Sequence, residues 1–339
     1  MKVQQDKRTY ARELVRSSLF FAAGEDAASL CAPADPSEQV VLVMGAFDGL
    51  HNGHRLLVAA AIEDATRRGV PCRPLTFCPD PSEVLLGSRS QSQLLSWEGR
   101  LRGLRALGAD AVLSLPFTAE LAALEPEEFV SNVLMSQARP LAIHVGSNFH
   151  FGRGAQGDVD TLRMLGERHG FEVSEHPLLE VAGERVSSTR IRRLLAHEGA
   201  LDLANELLDR CHFVEGTVCH GRGEGAGFGF ATANVRCSGR SCLPHAGVYG
   251  GYVTEGASCW PAAINVGAAP TFGPEEDLFL EAHLIGYDGD LYGKRVSVSF
   301  VKWLRASRPF DSLDELMEAV QANIAWTREN LGEGEVRLS

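Results

Sequence analysis

The feature that most constrains the fold is an alternation of short β-rich runs with helical stretches between Val40 and about Ala200. Val40–Met44 is an apolar run typical of a buried strand, and Arg55–Arg68 follows with helical periodicity. Strands that alternate with helices predict crossover units, and therefore a parallel sheet of the Rossmann-like kind. Such sheets bind ligands beyond the carboxyl ends of their strands. Further predicted strands are Val70–Phe77, Ala111–Leu115 and Ala142–Val145, with a helix through Trp97–Leu107.

The pattern changes after Leu208. From His212 to about Leu304 the segments are short, have a period of two, and are separated by glycine and proline turns. This pattern predicts a small antiparallel β-barrel, and Asp311–Asn330 predicts a C-terminal helix capped by Asp311 or Ser312. We therefore expect an α/β domain followed by a barrel domain. The predicted limits are a leader over 1–38, a first domain over 39–200, a linker over 201–211 and a barrel over 212–335.

Composition excludes some classes of function. The formal net charge of −12 disfavours a nucleic-acid partner, although it allows a small anionic ligand held by local donors. The longest apolar run, Val40–Phe47, is too short to cross a bilayer, and the N-terminus is a poor signal peptide. The eight cysteines include no C-x-x-C pair, which favours reduced thiols. We expect a cytoplasmic protein without a membrane partner, as a monomer or weak oligomer.

The segment Gly45–His54 follows the first predicted strand and reads G-A-F-D-G-L-H-N-G-H. Its glycines permit tight turns and close approach of a ligand. His51 and His54 are three residues apart, so at a helix start they share one face, beside free amide donors and the positive end of the helix dipole. This arrangement predicts a phosphate site. The alternative is a glycine turn with two solvated histidines.

Two further segments carry suitable donors and rings. Val186–Arg192 places three hydroxyls before two arginines, and the planar guanidinium suits phosphate oxygens. In Gly146–Gly157, the pair Phe149 and Phe151 suits a loop on which an aromatic ring system could stack. A capped helix with solvated arginines and a pair of core phenylalanines are the respective alternatives.

The barrel region carries its own set of polar residues. Six glycines between residues 216 and 229 predict a flexible loop whose amides could surround a diphosphate. Thr232 and Asn234 follow with hard oxygen donors suited to Mg²⁺. Glu281 is a lone carboxylate on a probable strand, and strand glutamates usually face solvent.

Together these motifs, in this order, resemble the bifunctional prokaryotic riboflavin kinase/FMN adenylyltransferase (FAD synthetase) family over residues 40–330. The resemblance implies an α/β nucleotidyltransferase domain before a riboflavin kinase barrel, with riboflavin, FMN and ATP as substrates and Mg²⁺ as cofactor. It implies that His51 and His54 act in adenylyl transfer, that Glu281 is the general base of the kinase, and that Thr232 and Asn234 bind the metal. The implied ATP- or phosphate-binding residues are Gly45, Phe47, Asp48, Gly53, Asn148, Ser188, Thr189, Arg190, Gly221, Gly225 and Gly229. The implied flavin-binding residues are Phe149, Phe151 and Tyr292.

The chain departs from the family pattern at four positions. Asp80 stands where histidine is usual in Phe77–Pro81, and Ala231 replaces the proline of the family's Pro-Thr-Ala-Asn motif. Ala226 and Ala269 stand where basic residues are expected. Because the metal and base positions are kept, we expect an active kinase. The alternatives are a monofunctional adenylyltransferase with a degenerate kinase domain and a non-catalytic flavin or nucleotide sensor.

Overall fold

A computed structural model describes residues 27–87, 92–220, 232–267 and 278–337 of the chain. Within these residues the chain divides into two compact units. Of the described residues, one unit comprises 27–87 and 97–187, and the other comprises 92–96, 188–220, 232–267 and 278–337. We call them the sheet unit and the barrel unit. The domain limits proposed from the sequence stay a prediction.

The sheet unit contains a five-stranded parallel sheet in the order β3-β2-β1-β4-β5, which confirms the predicted Rossmann-like architecture. Its strands are β1 (Gln39–Met44), β2 (Cys72–Phe77), β3 (Leu113–Leu115), β4 (Arg139–Gly146) and β5 (Glu172–His176). Its helices are α1 (Ala27–Leu30), α2 (Asn52–Arg68), α3 (Pro81–Leu86), α4 (Trp97–Ala106), α5 (Ala119–Ala122), α6 (Pro126–Glu128), a π-helix (Phe129–Leu134), α7 (Met135–Gln137), a 3-10 turn (Arg153–Ala155) and α8 (Val159–His169). A short hairpin, β6 (Glu180–Val181) and β7 (Glu184–Arg185), completes the unit.

The order of the strands locates the ligand-binding edge. Residues 40–44 of β1 are all buried, as expected for a central strand covered on both faces. From β1 the chain builds the sheet in one direction through β2 and β3, and then in the other direction through β4 and β5. The direction reverses between β1 and β4, and ligands bind outside the carboxyl ends of the strands at such a point.

The barrel unit contains six antiparallel strands that close on themselves in the order β10-β13-β8-β9-β12-β11, because β10 also pairs with β11. This confirms the predicted barrel and C-terminal helix. Ser312, one of the two predicted caps, accepts a hydrogen bond from the amide of Glu315 at the start of that helix. The strands are β8 (His212–Cys219), β9 (Ala233–Cys237), β10 (Gly247–Glu255), β11 (Ser258–Val266), β12 (Leu278–Leu284) and β13 (Arg295–Arg305), with β14 (Val336–Arg337) added to β11. The helices are α9 (Ser188–Ala196), α10 (Leu201–Leu208) and α11 (Leu313–Leu331).

All eight cysteine thiols are free in this structure. Among the residues that the structure describes, no helix is both long and apolar enough to cross a bilayer.

Candidate active sites

The loop between β1 and α2 has an unusual backbone. Phe47 and Leu50 adopt positive φ angles of 53° and 41°, and Gly49 has φ 81°. Such angles are unfavourable for residues that carry a Cβ and persist only where the surroundings enforce them. The side chains of Phe47 and Leu50 are completely buried, so hydrophobic burial holds the loop in this conformation.

This loop leads into α2, and His51 and His54 lie next to each other at the start of that helix. His51 is the N-cap residue, and its Nδ1 accepts a hydrogen bond of 3.3 Å from the amide of His54. The two imidazole rings stack with centroids 3.7 Å apart and an interplanar angle of 16°. Gly53 lies beneath the stack, and a Cβ there would be 3.3 Å from the ring of His51. The predicted shared face is therefore present, and the glycine gives the ring its space.

The surroundings of His54 favour a neutral imidazole. Burial lowers the pKa of His54 well below its ordinary value, and the nearby charges of His51 and Arg100 lower it further. Its Nδ1 is buried and has no hydrogen-bond partner. A neutral imidazole can donate a hydrogen bond, and its place next to the amides of a helix N-terminus suits it to an anionic ligand.

A second loop lies at the same edge of the sheet, after β4. The amide of Phe149 donates to the carbonyl of Gly146 over 2.9 Å, which forms a tight turn and leaves Asn148 exposed. A Cβ at Gly146 would lie 3.5 Å from Leu178, and a Cβ at Gly53 would lie 3.9 Å from Leu179. The segment after β5 thus lies beside both loops. This segment, the loop after β1 and the loop after β4 surround one region, at the point where the direction of the sheet reverses.

The two phenylalanines of this loop differ in burial. Their rings stack 5.6 Å apart, but Phe151 is buried in the core of the sheet unit and also contacts Phe129 at 5.8 Å. Phe149 is only partly buried. Phe149 also packs against this core, so the core-packing alternative describes Phe151 fully and Phe149 in part, and only Phe149 keeps some exposed ring surface.

The hydroxyl–arginine cluster begins helix α9, in the barrel unit. Thr189 is exposed, Ser188 is partly buried and Arg190 is buried. Their predicted role in closing over a triphosphate stays a prediction.

Strand register creates a polar row on the barrel. Glu281 of β12 pairs with Asn234 of β9 on one side and with Asn265 of β11 on the other. Directly paired residues place their Cβ atoms about 4.5–5.5 Å apart on one face of a sheet. Most neighbouring residues along these strands are buried, whereas Glu281 is exposed and Asn234 and Asn265 are partly exposed, so the row faces outward with Glu281 between two asparagines. The buried neighbours are Val235, Ile264, Val266, Leu280 and Ala282.

Thr232 comes two residues before Asn234 and is partly buried. The period of two of an extended chain places its hydroxyl on the same face as that amide. Oxygen donors of this kind fit Mg²⁺. In the described ranges, no cluster of three or more histidine, cysteine, aspartate or glutamate side chains could hold a metal ion. Gly221, Gly225 and Gly229, together with Ala226, Ala231 and Ala269, lie outside the described residues.

Tyr292 is the remaining predicted flavin residue. Its side chain is 53% exposed, and its ring stacks on that of His220 with centroids 4.0 Å apart. His220 is the last described residue before the glycine-rich loop. An exposed aromatic stack at this point can accept a planar ring, and this assignment also stays a prediction.

Comparisons with known proteins assign both units. The FAD synthetase family model matches residues 34–190, and the riboflavin kinase family model matches residues 208–331. The bifunctional riboflavin kinase/FMN adenylyltransferase of Pseudomonas fluorescens is 36% identical over 289 residues, which are 85% of this chain and 92% of that protein. The enzyme of the same description from Escherichia coli K12 is 35% identical over 298 residues, covering 88% of this chain and 94% of that protein.

The chain belongs to the bifunctional riboflavin kinase/FMN adenylyltransferase family. A crystal structure of a macrolide-efflux protein from Streptococcus pneumoniae shares the fold, with a TM-score of 0.77 at 28% identity. The match covers 87% of this chain and 95% of the chain in that crystal structure. The sheet unit contains most of the FAD synthetase match, and the barrel unit contains the riboflavin kinase match.

Two residues near these sites were not found from the sequence. Asn265 is not among the site residues predicted from the sequence, and only strand register shows that it pairs with Glu281. Arg100 is buried within α4 and faces Asp48 of the first loop. An arginine in a helix that carries other charges gives no local signal of burial. A salt bridge between residues 52 positions apart is decided by packing alone.

Proposed function

We propose that the chain makes FAD in two steps: it phosphorylates riboflavin to FMN with ATP, and then adenylylates FMN with release of pyrophosphate. This proposal rests on one observation: the region matched by each family model contains its own group of polar residues suited to ATP. The paired histidines lie at the reversal point of the parallel sheet, and the Asn234–Glu281–Asn265 row lies on the barrel. The relatives that match over most of the chain are described with both activities.

For the kinase step, Glu281 is the base. Its carboxylate accepts the proton of the ribityl 5′-hydroxyl as that oxygen attacks the γ-phosphate of ATP, and ADP leaves. Asn234 and Asn265 flank it by strand register. The two families use ATP, typically with a divalent metal, and our proposal is Mg²⁺ held by the oxygens of Thr232 and Asn234. The chemistry supplied by this ion when bound is neutralisation of charge on the transferring phosphoryl group.

For the adenylyl step, the phosphate of FMN attacks the α-phosphorus of ATP. A new P–O bond forms to FMN, and the bond from the α-phosphorus to the bridging oxygen breaks, so pyrophosphate leaves with the electron pair. The nucleophile is already an anion, and no protein nucleophile is needed. His51, His54 and the first amides of α2 hold the phosphates and stabilise the developing charge. Asn148 orients the nucleotide or flavin, and Ser188, Thr189 and Arg190 bind phosphate.

Flavin contacts complete the proposal. Phe149 in the sheet unit and Tyr292 in the barrel unit each present a ring surface that a flavin can stack on. Phe151 supports Phe149 from the core. We further propose a cytoplasmic monomer or weak oligomer without nucleic-acid or membrane partners, in keeping with the net charge of −12.

One experiment tests the function. Purified full-length protein is incubated with riboflavin, ATP and Mg²⁺, and riboflavin, FMN and FAD are separated over time. The expected result is transient FMN followed by FAD, with ADP and pyrophosphate released. FAD from added FMN, but no FMN from riboflavin, would support the monofunctional alternative. Ligand binding without ADP or pyrophosphate would support the sensor.

A further inference from the structure

The guanidinium of Arg100 is the most buried charge near the first site. The Arg100 side chain is 2% exposed, and it lies between two carboxylates from different loops. Its Nη2 is 3.8 Å from Oδ1 of Asp48, and its Nη1 is 3.5 Å from Oδ2 of Asp80. Its Nε has no hydrogen-bond partner. Burying a charge is costly unless it is paired, so a cation at this position requires the carboxylates around it.

Asp80 divides its two oxygens between two tasks. It caps helix α3, where its Oδ1 accepts hydrogen bonds from the amide (3.0 Å) and the hydroxyl (2.8 Å) of Ser82. Its Oδ2 faces Arg100. A neutral imidazole has only one acceptor nitrogen and no negative charge, so histidine at residue 80 could not perform both tasks. Asp80, the residue that departs from the family motif, thus supplies a negative charge that the buried Arg100 requires.

The second carboxylate that faces Arg100, Asp48, belongs to the loop between β1 and α2. Asp48 lies between Phe47 and Gly49, two residues with positive φ, and it is 3% exposed. An ion pair to α4 therefore holds the loop between two residues with positive φ. The Asp80–Arg100–Asp48 link connects the loop after β1, the loop after β2 and helix α4.

We propose that this link is a positioning device for adenylyl transfer, in which Asp80 orients Arg100, and Arg100 holds Asp48 and with it the loop that leads into His51 and His54. The proposal rests on the function proposed above for the same site. The groups around His54 are the stacked ring of His51, the ring of Phe47 at 5.4 Å and the charge of Arg100. Arg100 is itself paired with Asp48 and Asp80. Among these, Arg100 is a permanent cation.

The test uses full-length R100Q, R100K, D80N and the double variant D80N/R100Q. R163Q is the matched control, because Arg163 also bridges two carboxylates, Asp160 and Glu175, but on the exposed surface of α8. We measure kcat and KM for FMN adenylylation, riboflavin phosphorylation, and the titration of His54 by NMR of its labelled imidazole. Riboflavin phosphorylation reports on the kinase module and is expected to stay unchanged in every variant.

In R100Q we expect kcat for adenylylation to fall by about tenfold to a hundredfold, and the pKa of His54 to rise. In R100K the charge remains, so the pKa of His54 stays low while kcat still falls, because an ammonium cannot bridge both carboxylates as a guanidinium does. D80N lowers kcat, and the double variant is no worse than R100Q, since both changes act through one link. R163Q is expected to match the wild type in all readouts.

The proposal is overturned if R100Q and R100K leave kcat and the His54 titration as in the wild type, or if the effects of D80N and R100Q are additive. If R100Q does not fold, R100K and D80N decide the question. Wild-type protein that makes no FAD from FMN would refute the proposed function instead. The His54 titration needs no activity, so the two failures are distinguishable.

Discussion

The two candidate sites obtain their geometry by different physical means. In the sheet unit, the functional groups are largely withdrawn from water: His51, Asp48 and Arg100 are buried, and the loop that carries the first two contains three positive φ angles. On the barrel, Glu281 is exposed and its place is set by the pairing of β12 with two neighbouring strands. One site depends on desolvation and strain, and the other depends on regular register.

This difference indicates that function and stability are coupled in the sheet unit and largely separate in the barrel row. A change among buried, mutually dependent groups alters charge balance, packing and chemistry together. A change at an exposed position of a regular sheet alters chemistry with little effect on the fold. We therefore expect substitutions in the sheet unit to affect several properties and substitutions in the barrel row to affect one.

The largest effect is expected for Glu281→Gln. Loss of the general base should lower riboflavin phosphorylation by about 10²–10⁴-fold, with the melting temperature and FMN adenylylation unchanged. Glu255→Gln, on β10 of the same barrel, is the control and should retain kinase activity. A kinase rate for E281Q close to that of the wild type would remove Glu281 from the mechanism.

Next is His54→Ala. Removing one phosphate donor should lower FMN adenylylation by about 10²–10³-fold and leave riboflavin phosphorylation intact. The two rates are measured separately, with added FMN and with riboflavin. Loss of both activities in a folded protein would contradict two independent sites.

Asp64→Asn tests the coupling of stability to buried charge in the sheet unit. Asp64 on α2 accepts hydrogen bonds from Arg68 (3.0 Å) and from Nε2 of His144 (3.2 Å), and His144 in turn contacts His176 at 2.9 Å. Burial alone would raise the pKa of Asp64, but the hydrogen bonds from His144 and Arg68 more than offset this, and the pKa is lowered. We expect D64N to cost about 1–3 kcal/mol of unfolding free energy at pH 7.

The sign of the pH dependence follows from the lowered pKa. A carboxylate with a depressed folded pKa stabilises the protein above its unfolded pKa, and that contribution is lost as the pH falls through the folded value. The difference between wild type and D64N in urea unfolding should therefore shrink below about pH 4. Asp160→Asn, at a mostly exposed carboxylate, should show no such difference. An equal difference at pH 7 and in acid would argue against an ionised Asp64.

The smallest effect is expected for Gly53→Ala. Alanine has a helix propensity up to about 1 kcal/mol better than glycine, so the fold should not lose stability. The added Cβ would be 3.3 Å from the His51 ring and must move it by a few tenths of an ångström. We expect adenylylation to fall by about threefold to tenfold while the melting temperature holds or rises. Unchanged adenylylation would show that the position of the His51 ring is not critical.

Much of the fold was predictable because it rests on local periodicity. The apolar run at Val40–Met44 and the period-two segments after His212 correspond to real strands, and β1 begins one residue earlier than predicted, at Gln39. The contact between His51 and His54 was predictable for the same reason, since residues three apart on a helix are neighbours. No composition change marks the start of α9 at Ser188, so the division of the chain into two units there depends on contacts between distant segments.

The pairing of Glu281 with Asn234 and Asn265, and the burial of Arg100 between Asp48 and Asp80, depend on segments far apart in the chain. The sequence by itself determined the two architectures, the histidine pair and the types of donor, because periodicity and spacing act over a few residues. Only the tertiary structure decided which strands lie side by side, which phenylalanine belongs to the core and which arginine is buried. These depend on the free energy of packing distant segments together, and a local pattern does not encode it.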